Sequence, residues 1–391
     1  MKPITLKSAS QAGGGPEMAT SKENKMRSML GFRLGGRHIK RFGHYALMMS
    51  VGLMLSWSSA LQAFAELQAD PDGVRVHRDI VYATPANQPL ALDIYQPIRA
   101  GIRSPLPVLV IFHGGGWLIN NKSIMRQMAE YIAVHADIVV VNVDYRLLSS
   151  NYNTTRLNQI VEDALGATLW VQRHIARYQG DPSRIAVTGD SAGGHLAAMV
   201  VLAGQNLTSK GTASRTPGFR PSFLPDGETA ESIQAAGGIV VQGAVLSYAV
   251  FDLHARALLG AETAKNGFWA AAKASPRGYF GAGIDAKSHP ELYQALSPLH
   301  RIPQVAVRAL PPQLIQVGSL DSLTTPALTE RYVEALSRAG QPAKFIVYPG
   351  LKHAYLDSGC SSYFKQCFDD DAIKPLQDML AFLSGIFERQ P

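Results

Sequence analysis

A serine stands between two glycines in the stretch VTGDSAGGHLAAM, which runs from Val187 to Met199. Ser191 follows the β-branched run RIAVTGD and precedes an apolar pattern, which places it in a strand-to-helix turn. Gly189 and Gly193 leave room for the strained backbone of such a turn, and the following helix directs the positive end of its dipole at the serine. The pattern predicts a nucleophile, and the alternative interpretation is an ordinary helix N-cap serine.

A run of three glycines, IFHGGGW, follows a second strand pattern. Consecutive glycines cost backbone entropy, and they are useful where backbone N–H groups must approach a ligand closely. The tetrahedral intermediate of acyl transfer carries a negative oxygen that needs such donors, and each donor is typically worth ~3–4 kcal/mol. We therefore expect an oxyanion site here. The alternative, a flexible loop, would not explain the flanking His113 and Trp117.

These two motifs, separated by VDYRL at 143–147, resemble those of α/β-hydrolase esterases in the hormone-sensitive-lipase-like and related bacterial carboxylesterase group. The resemblance extends over roughly residues 78 to 388. It implies an α/β-hydrolase fold and a serine esterase that needs neither a metal nor an organic cofactor.

The resemblance also implies residue roles. The backbone N–H groups of Gly115, Gly116 and Ala192 would bind the oxyanion, and His113 would brace the loop without taking part in catalysis. Trp117 replaces the phenylalanine common among hormone-sensitive-lipase relatives and is more like the feruloyl-esterase and arylformamidase branches. That departure leaves the substrate open and does not affect the chemistry.

A serine hydroxyl is a weak nucleophile until a histidine, oriented by a carboxylate, takes its proton. In α/β-hydrolases the acid and then the histidine follow the serine in the chain, on loops after late strands. QVGSLDSLTTP places Asp321 just past one strand pattern, and VYPGLKHAY places His353 just past the next. We expect both to join Ser191 in a triad. Asp252 in YAVFDL is the rival acid, one strand earlier.

Short apolar runs alternate with helical patterns after residue 66, which predicts one α/β domain with an eight-stranded, mostly parallel sheet flanked by helices. The expected strands are 79–83, 90–95, 107–114, 137–145, 184–190, 240–248, 313–318 and 344–350. The expected helices are 123–134, 155–178, 192–204, 326–339 and 372–388. Residues 205–236 are polar and predict a surface insertion, and residues 252–300 predict a small cap.

The front of the chain has the layout of a secretory signal, with basic residues to Arg41, an apolar run from Tyr45 to Trp57 and then AFA. We expect residues 1–65 to be cleaved after Ala65 and the catalytic domain, 66–391, to be periplasmic or secreted. The alternative is an uncleaved membrane anchor, which the serines near the end of the apolar run disfavour. Contact with a membrane is otherwise expected only in transit.

The charge balance argues against a nucleic-acid partner. Residues 1–65 hold nine of the 37 basic and two of the 30 acidic residues, and subtracting them leaves 28 of each sign. The net charge of +7 therefore belongs to the predicted leader, and the remainder of the chain is formally neutral. A small-molecule ester is the expected binding partner, and the composition says nothing about oligomeric state.

Cys360 and Cys367 are the two cysteines, and in an exported protein we expect them to form a disulfide. Inert thiols are the alternative. So short a loop would gain only ~2–3 kcal/mol in the chain-entropy model, so the bond is expected to hold a local loop after His353.

The sequence as a whole predicts a serine hydrolase that cleaves small to medium acyl esters through an acyl-enzyme intermediate. An arylformamide, or a feruloyl or acetyl group on a polysaccharide, remains an alternative substrate of the same triad. A non-catalytic binding protein on a hydrolase scaffold is a further alternative, which the intact triad residues disfavour.

Overall fold

The computed structural model describes residues 69–70, 73–99, 101–102, 105–210 and 218–388, so the predicted leader, 1–65, lies outside the described residues. No helix in the described part of the chain is both long and apolar enough to span a membrane.

The main sheet of the described chain has nine strands in the order β1-β2-β3-β5-β4-β6-β7-β8-β9. Strands β4 to β9 run parallel to one another, whereas β1, β2 and β3 pair antiparallel at one edge. The strands are Ala69–Asp70 (β1), Val74–Ala83 (β2), Leu90–Pro97 (β3), Leu106–Phe112 (β4), Val139–Val143 (β5), Gly180–Asp190 (β6), Gly243–Ser247 (β7), Gln313–Gly318 (β8) and Ala343–Tyr348 (β9). All eight expected strands are present, and β1 adds a two-residue ninth at the edge.

Helices connect the parallel strands, and the five expected helices occur close to their expected bounds. The helices are Arg126–His135 (α1), Leu157–His174 (α2), Ala192–Ala203 (α3), Ala230–Ala235 (α4), Leu253–Arg256 (α5), Gly267–Ala271 (α6), Pro290–Ala295 (α7), Pro326–Arg338 (α8), Phe368–Asp371 (α9) and Ile373–Phe387 (α10), with a single turn at Ser150–Asn153. A separate two-stranded hairpin, Cys360–Ser361 (β10) and Gln366–Cys367 (β11), follows β9.

The sheet is buried on both faces, as nearly continuous Val/Ile/Leu strands predict. Alternate residues of β4 point to opposite sides, so that Val108 and Val110 join one apolar core while Leu109 and Ile111 join the other. Because the six parallel strands all end at one edge of the sheet, the loops that follow them meet there. Ser191, Asp321 and His353 lie on three of those loops.

Two segments interrupt the alternation where the sequence indicates. Within the described parts of 205–236, Phe219 and Ile233 are buried in the core, so this insertion is anchored to the domain rather than lying wholly on its surface. Residues 252–300, between β7 and β8, form three short helices, α5, α6 and α7.

Candidate active site

The turn between β6 and α3 holds Ser191 in a strained backbone conformation, with φ 51° and ψ −114°. Its N–H donates to the Ser247 carbonyl at 2.9 Å, which ties the turn to the neighbouring strand β7. A Cβ at Gly193 would lie 1.9 Å from the Phe112 carbonyl oxygen, so only glycine allows α3 to begin this close to the end of β4. Packing around the turn thus overcomes the strain and presents the serine at the sheet edge.

Ser191, His353 and Asp321 meet in one hydrogen-bonded chain. The Ser191 Oγ lies 2.9 Å from Nε2 of His353, and Nδ1 of the same ring lies 2.7 Å from Oδ2 of Asp321. Since the carboxylate accepts from Nδ1–H, Nε2 is left as the acceptor for the serine proton. This is the geometry that general-base activation of a serine requires.

Asp321 is held as an anion by several donors. Its Oδ1 accepts from the N–H groups of Leu323 and Thr324 at 2.8 and 2.9 Å. Burial alone would raise the pKa of Asp321, but the hydrogen bond from His353, the charge of that ring and these N–H donors outweigh burial and lower the pKa below its usual range. Asp321 is therefore ionised at every pH at which it must orient the histidine.

Asp252, the rival acid, takes another role. Its Oδ1 accepts from the Ala255 N–H at 2.9 Å and so caps α5, while its Oδ2 faces Arg331 at 3.5 Å. The carboxylate that contacts His353 is that of Asp321.

The HGGGW loop adopts backbone angles that favour glycine, with φ 115° at Gly115 and 62° at Gly116. The Gly115 carbonyl accepts from the N–H groups of Leu118 and Ile119 at 3.0 and 3.1 Å. A Cβ at Gly115 would lie 2.3 Å from the Ile119 carbonyl oxygen, so the loop closes on itself only with glycine there. Ala192, the third expected oxyanion donor, begins α3 and is fully buried. The assignment of these three groups to the oxyanion stays a prediction.

Asp190 is the last residue of β6, next to Ser191, and interacts with the HGGGW loop and with the segment after His353. It is 1% exposed, and its Oδ2 would lie 2.3 Å from a Cβ built at Gly114. Its charge also acts on Asp357, four residues beyond His353. Burial raises the pKa of both Asp190 and Asp357, and the charge of Asp190 raises the pKa of Asp357 further. No sequence motif indicates a role for Asp190, although it stands beside the nucleophile.

His113 and Trp117 are packing residues in the structure. His113 stacks on Tyr145 with ring centroids 4.2 Å apart, and burial lowers its pKa to about 4. Trp117 is 1% exposed and packs edge-on against His195 and Tyr279. Trp117 does not line the apolar cavity beside the triad. The replacement of phenylalanine by tryptophan therefore affects core packing more directly than substrate contacts.

A cavity of about 650 Å³ opens beside the triad, between the loop after β8 and the short helices of 252–300. Its lining is mostly apolar, and it includes Phe268, Thr324 and Phe364. A Cβ at Gly116 would lie 2.9 Å from the Phe268 ring, which places the cavity wall directly on the HGGGW loop. In the described chain no group of three or more His, Cys, Asp or Glu side chains is arranged to hold a metal ion.

Two contacts of the triad were not anticipated from the sequence. Thr324 Oγ1 donates to Asp321 Oδ2 at 3.0 Å or to the Tyr248 carbonyl at 2.8 Å, and the Tyr248 ring packs edge-on against His353. Thr324 stands in the segment SLDSLTTP, three residues after the acid, and this position is the one sequence signal that could have indicated it.

Known proteins resemble the chain in sequence and structure. Carboxylesterase NlhH of Mycobacterium tuberculosis is 27% identical over 256 residues, which cover 66% of this chain and 68% of the relative. The propionate-bound esterase Est2 of Thermogutta terrifontis superimposes with a TM-score of 0.56 at 25% identity, covering 81% of this chain and 95% of that one. The same esterase phosphorylated by paraoxon gives a TM-score of 0.55 at 25% identity, with coverage of 82% and 98%.

The alpha/beta hydrolase fold family matches residues 109–357, which include the HGGGW loop and all three triad residues. The predicted fold class and the resemblance to esterases are thereby confirmed. Because the match covers well over half of the sequence, this chain belongs to the alpha/beta hydrolase fold family.

Proposed function

We propose that the chain is a carboxylesterase that hydrolyses esters of small to medium acyl groups through an acyl-enzyme intermediate. The observation that carries the proposal is the continuous path from Asp321 through His353 to Ser191, beside an apolar cavity. Relatives of the chain are named carboxylesterase and esterase. One related esterase was solved in two complexes, one with propionate and one with butyrate.

The first half-reaction forms the acyl-enzyme. His353 Nε2 takes the hydroxyl proton of Ser191 as Oγ attacks the ester carbonyl carbon, and the carbonyl oxygen becomes the oxyanion. Backbone N–H groups of Gly115, Gly116 and Ala192 are the proposed donors to that oxygen. When the tetrahedral intermediate collapses, the carbon–oxygen bond to the alcohol breaks, and the imidazolium gives its proton to the leaving alkoxide.

The second half-reaction uses water in the same way. His353 takes a proton from water as the water oxygen attacks the acyl carbon, and the imidazolium then returns a proton to Ser191 Oγ as the carboxylic acid leaves. Asp321 keeps the ring in the tautomer that both halves need, because its carboxylate accepts from Nδ1 throughout.

Ser191→Ala tests the proposal. With p-nitrophenyl acetate and butyrate we expect kcat/KM to fall by several orders of magnitude, to a residual activity that binding and the oxyanion donors alone provide. Circular dichroism spectra and melting curves serve as the folding control. Activity that remains near the wild-type level would remove the serine from the mechanism.

We also propose that the protein is exported and that the leader is cleaved after Ala65. The basic and apolar composition of the leader supports this, as does the disulfide between Cys360 and Cys367, a bond typical of oxidising compartments. N-terminal sequencing of protein recovered from the periplasm or medium should begin at Glu66. Recovery of an intact N-terminus in the membrane fraction would contradict it.

A further inference from the structure

Exposed apolar side chains gather at the mouth of the cavity. Leu259 is 78% exposed, Tyr363 is 82% exposed and Leu328 is 39% exposed, and all three line this one cavity. Contiguous exposed apolar surface on a folded protein marks a place where an apolar ligand or partner binds. The same cavity is lined by Thr324 and Phe364, whose side chains contact His353.

The hairpin of residues 360–367 supplies two of the cavity's aromatic residues. Its strands β10 and β11 pair through Cys360 and Cys367, which form the disulfide. The turn between them carries Tyr363 and Phe364, whose rings pack edge-on with centroids 4.8 Å apart. The hairpin is thus a short, covalently closed loop with an aromatic tip.

The hairpin contacts both the catalytic histidine and the residue before it. The Phe364 ring lies against the His353 ring with centroids 5.4 Å apart. Oε1 of Gln366 accepts a hydrogen bond from the N–H of Lys352, the residue before that histidine, at 2.8 Å. These contacts therefore fix the position of the aromatic tip relative to His353.

The opposite wall comes from residues 252–300. Phe268 packs against Gly116 of the HGGGW loop, and Leu259 extends the wall to the mouth. The cavity volume of about 650 Å³ lies within the range of roughly 300–1,000 Å³ that is usual for sites enclosing a drug-sized molecule. An acetyl group would leave most of this apolar volume unfilled.

We propose that hairpin 360–367 is a substrate-binding element, in which Tyr363 and Phe364 hold the apolar acyl group of a medium-chain ester while its carbonyl reacts at Ser191. This inference rests on the proposed function. The disulfide favours substrate binding by limiting the conformations of a short, exposed loop. The aromatic tip is therefore preorganised, and less entropy is lost on binding.

The test compares kcat/KM for p-nitrophenyl octanoate and p-nitrophenyl acetate, both below the concentration at which the octanoate forms micelles. For Tyr363→Ala, for Phe364→Ala and for the double variant Cys360→Ser/Cys367→Ser, we expect the octanoate-to-acetate ratio to fall about tenfold, mainly through KM for octanoate. Tyr152→Ala is the matched control, since that tyrosine is fully exposed and does not line the cavity. Its ratio should equal that of the wild type.

Several results would overturn the inference. An unchanged ratio in the Tyr363 and Phe364 variants would remove the hairpin from substrate binding, and equal losses on both esters would leave Phe364 only a support for His353. A ratio that falls only with ester presented in lipid vesicles would assign the apolar rim to a lipid surface instead. If the wild type hydrolyses neither ester and Ser191→Ala changes nothing, the proposed function itself fails.

Discussion

The hydroxyl of Thr324 lies within hydrogen-bonding distance of both the acid and the base of the triad, 3.0 Å from Oδ2 of Asp321 and 3.3 Å from Nδ1 of His353. It also lies 2.8 Å from the Tyr248 carbonyl, which belongs to the segment following β7. A single side chain therefore fixes the acid relative to a neighbouring strand end. We regard Thr324 as a positioning residue, because it does not itself exchange the serine proton.

Thr324→Val removes this hydroxyl with little change in volume. We expect kcat for p-nitrophenyl butyrate to fall about tenfold, since a hydrogen bond to a charged group is worth roughly 1.5–3 kcal/mol. Thr324→Ser keeps the hydroxyl and should recover most of the lost rate. A valine variant with full activity, or a serine variant as slow as the valine one, would show that the hydroxyl does not position the acid.

Replacing each of the two candidate acids by asparagine should have different effects on kcat. Asp321→Asn leaves the histidine without the carboxylate that selects its tautomer, and we expect kcat to fall on the order of 10⁴-fold. Asp252→Asn should lose far less, because asparagine also caps a helix and α5 would keep its N-terminal hydrogen bond. Steady-state kinetics of both variants decide between them, and a larger loss in the Asp252 variant would reverse the assignment.

At the scale of elements, the close approach of α3 to β4 places the nucleophile beside the oxyanion loop. A methyl group at Gly193 would collide with the Phe112 carbonyl oxygen, which is backbone and cannot move aside cheaply. Gly193→Ala should therefore lower the free energy of unfolding by about 3 kcal/mol, measured by urea denaturation.

Gly267→Ala is the control for that experiment. Gly267 begins α6, its φ is not positive, and nothing lies within 4 Å of the position that its Cβ would take. We expect its stability to stay within about 0.5 kcal/mol of the wild type. Equal stability of both alanine variants would mean that the turn between β6 and α3 tolerates a wider spacing than the structure shows.

The elements were largely predictable, and the contacts between them were not. Runs such as VVVNV at 139–143 have the composition of strands buried on two faces, and the structure places a strand there. That β3 lies antiparallel to β5 at one edge, or that the ring of Phe364 reaches His353, depends on pairings between residues far apart in the chain. Local periodicity carries no information about such pairings.

The same limit applies to the site. Ser191, Asp321 and His353 were predictable because each follows a strand in a recognisable motif, and parallel strands bring their ends to one edge. Thr324 and Tyr248 act through a hydroxyl and a carbonyl whose partners are set by folding. The position of Thr324 three residues after the acid is the only sequence signal for it, and Tyr248 has none.

Across the whole molecule, buried histidines should make stability depend on pH. Burial lowers the pKa of both His113 and His195 to about 4, against an ordinary value near 6.5. Below pH 6.5 the unfolded chain binds protons that the folded chain does not. The stability these residues contribute is therefore complete above pH 6.5 and is lost as the pH falls towards 4. Asp190 acts in the opposite direction, because burial raises its pKa and its contribution is lost as the pH rises.

His195→Gln isolates one of these contributions. His195 Nε2 lies 2.8 Å from the Leu296 carbonyl, and a glutamine amide offers a similar donor without the titrating ring. The wild type should lose about 3 kcal/mol more than the variant between pH 6.5 and 4, as measured by urea denaturation across that range. Parallel pH profiles would mean that His195 is not buried as a neutral ring.

The most direct test of Ser191 as the nucleophile is to identify the residue that paraoxon modifies. A related esterase was solved phosphorylated by this compound. After incubation and digestion, mass spectrometry should locate one diethyl phosphate on the peptide that contains Ser191, with activity lost in proportion to labelling and no label in Ser191→Ala. Two results would contradict Ser191 as the nucleophile. One is protein that stays unlabelled and fully active after the incubation, and the other is a stoichiometric label on another residue that abolishes activity.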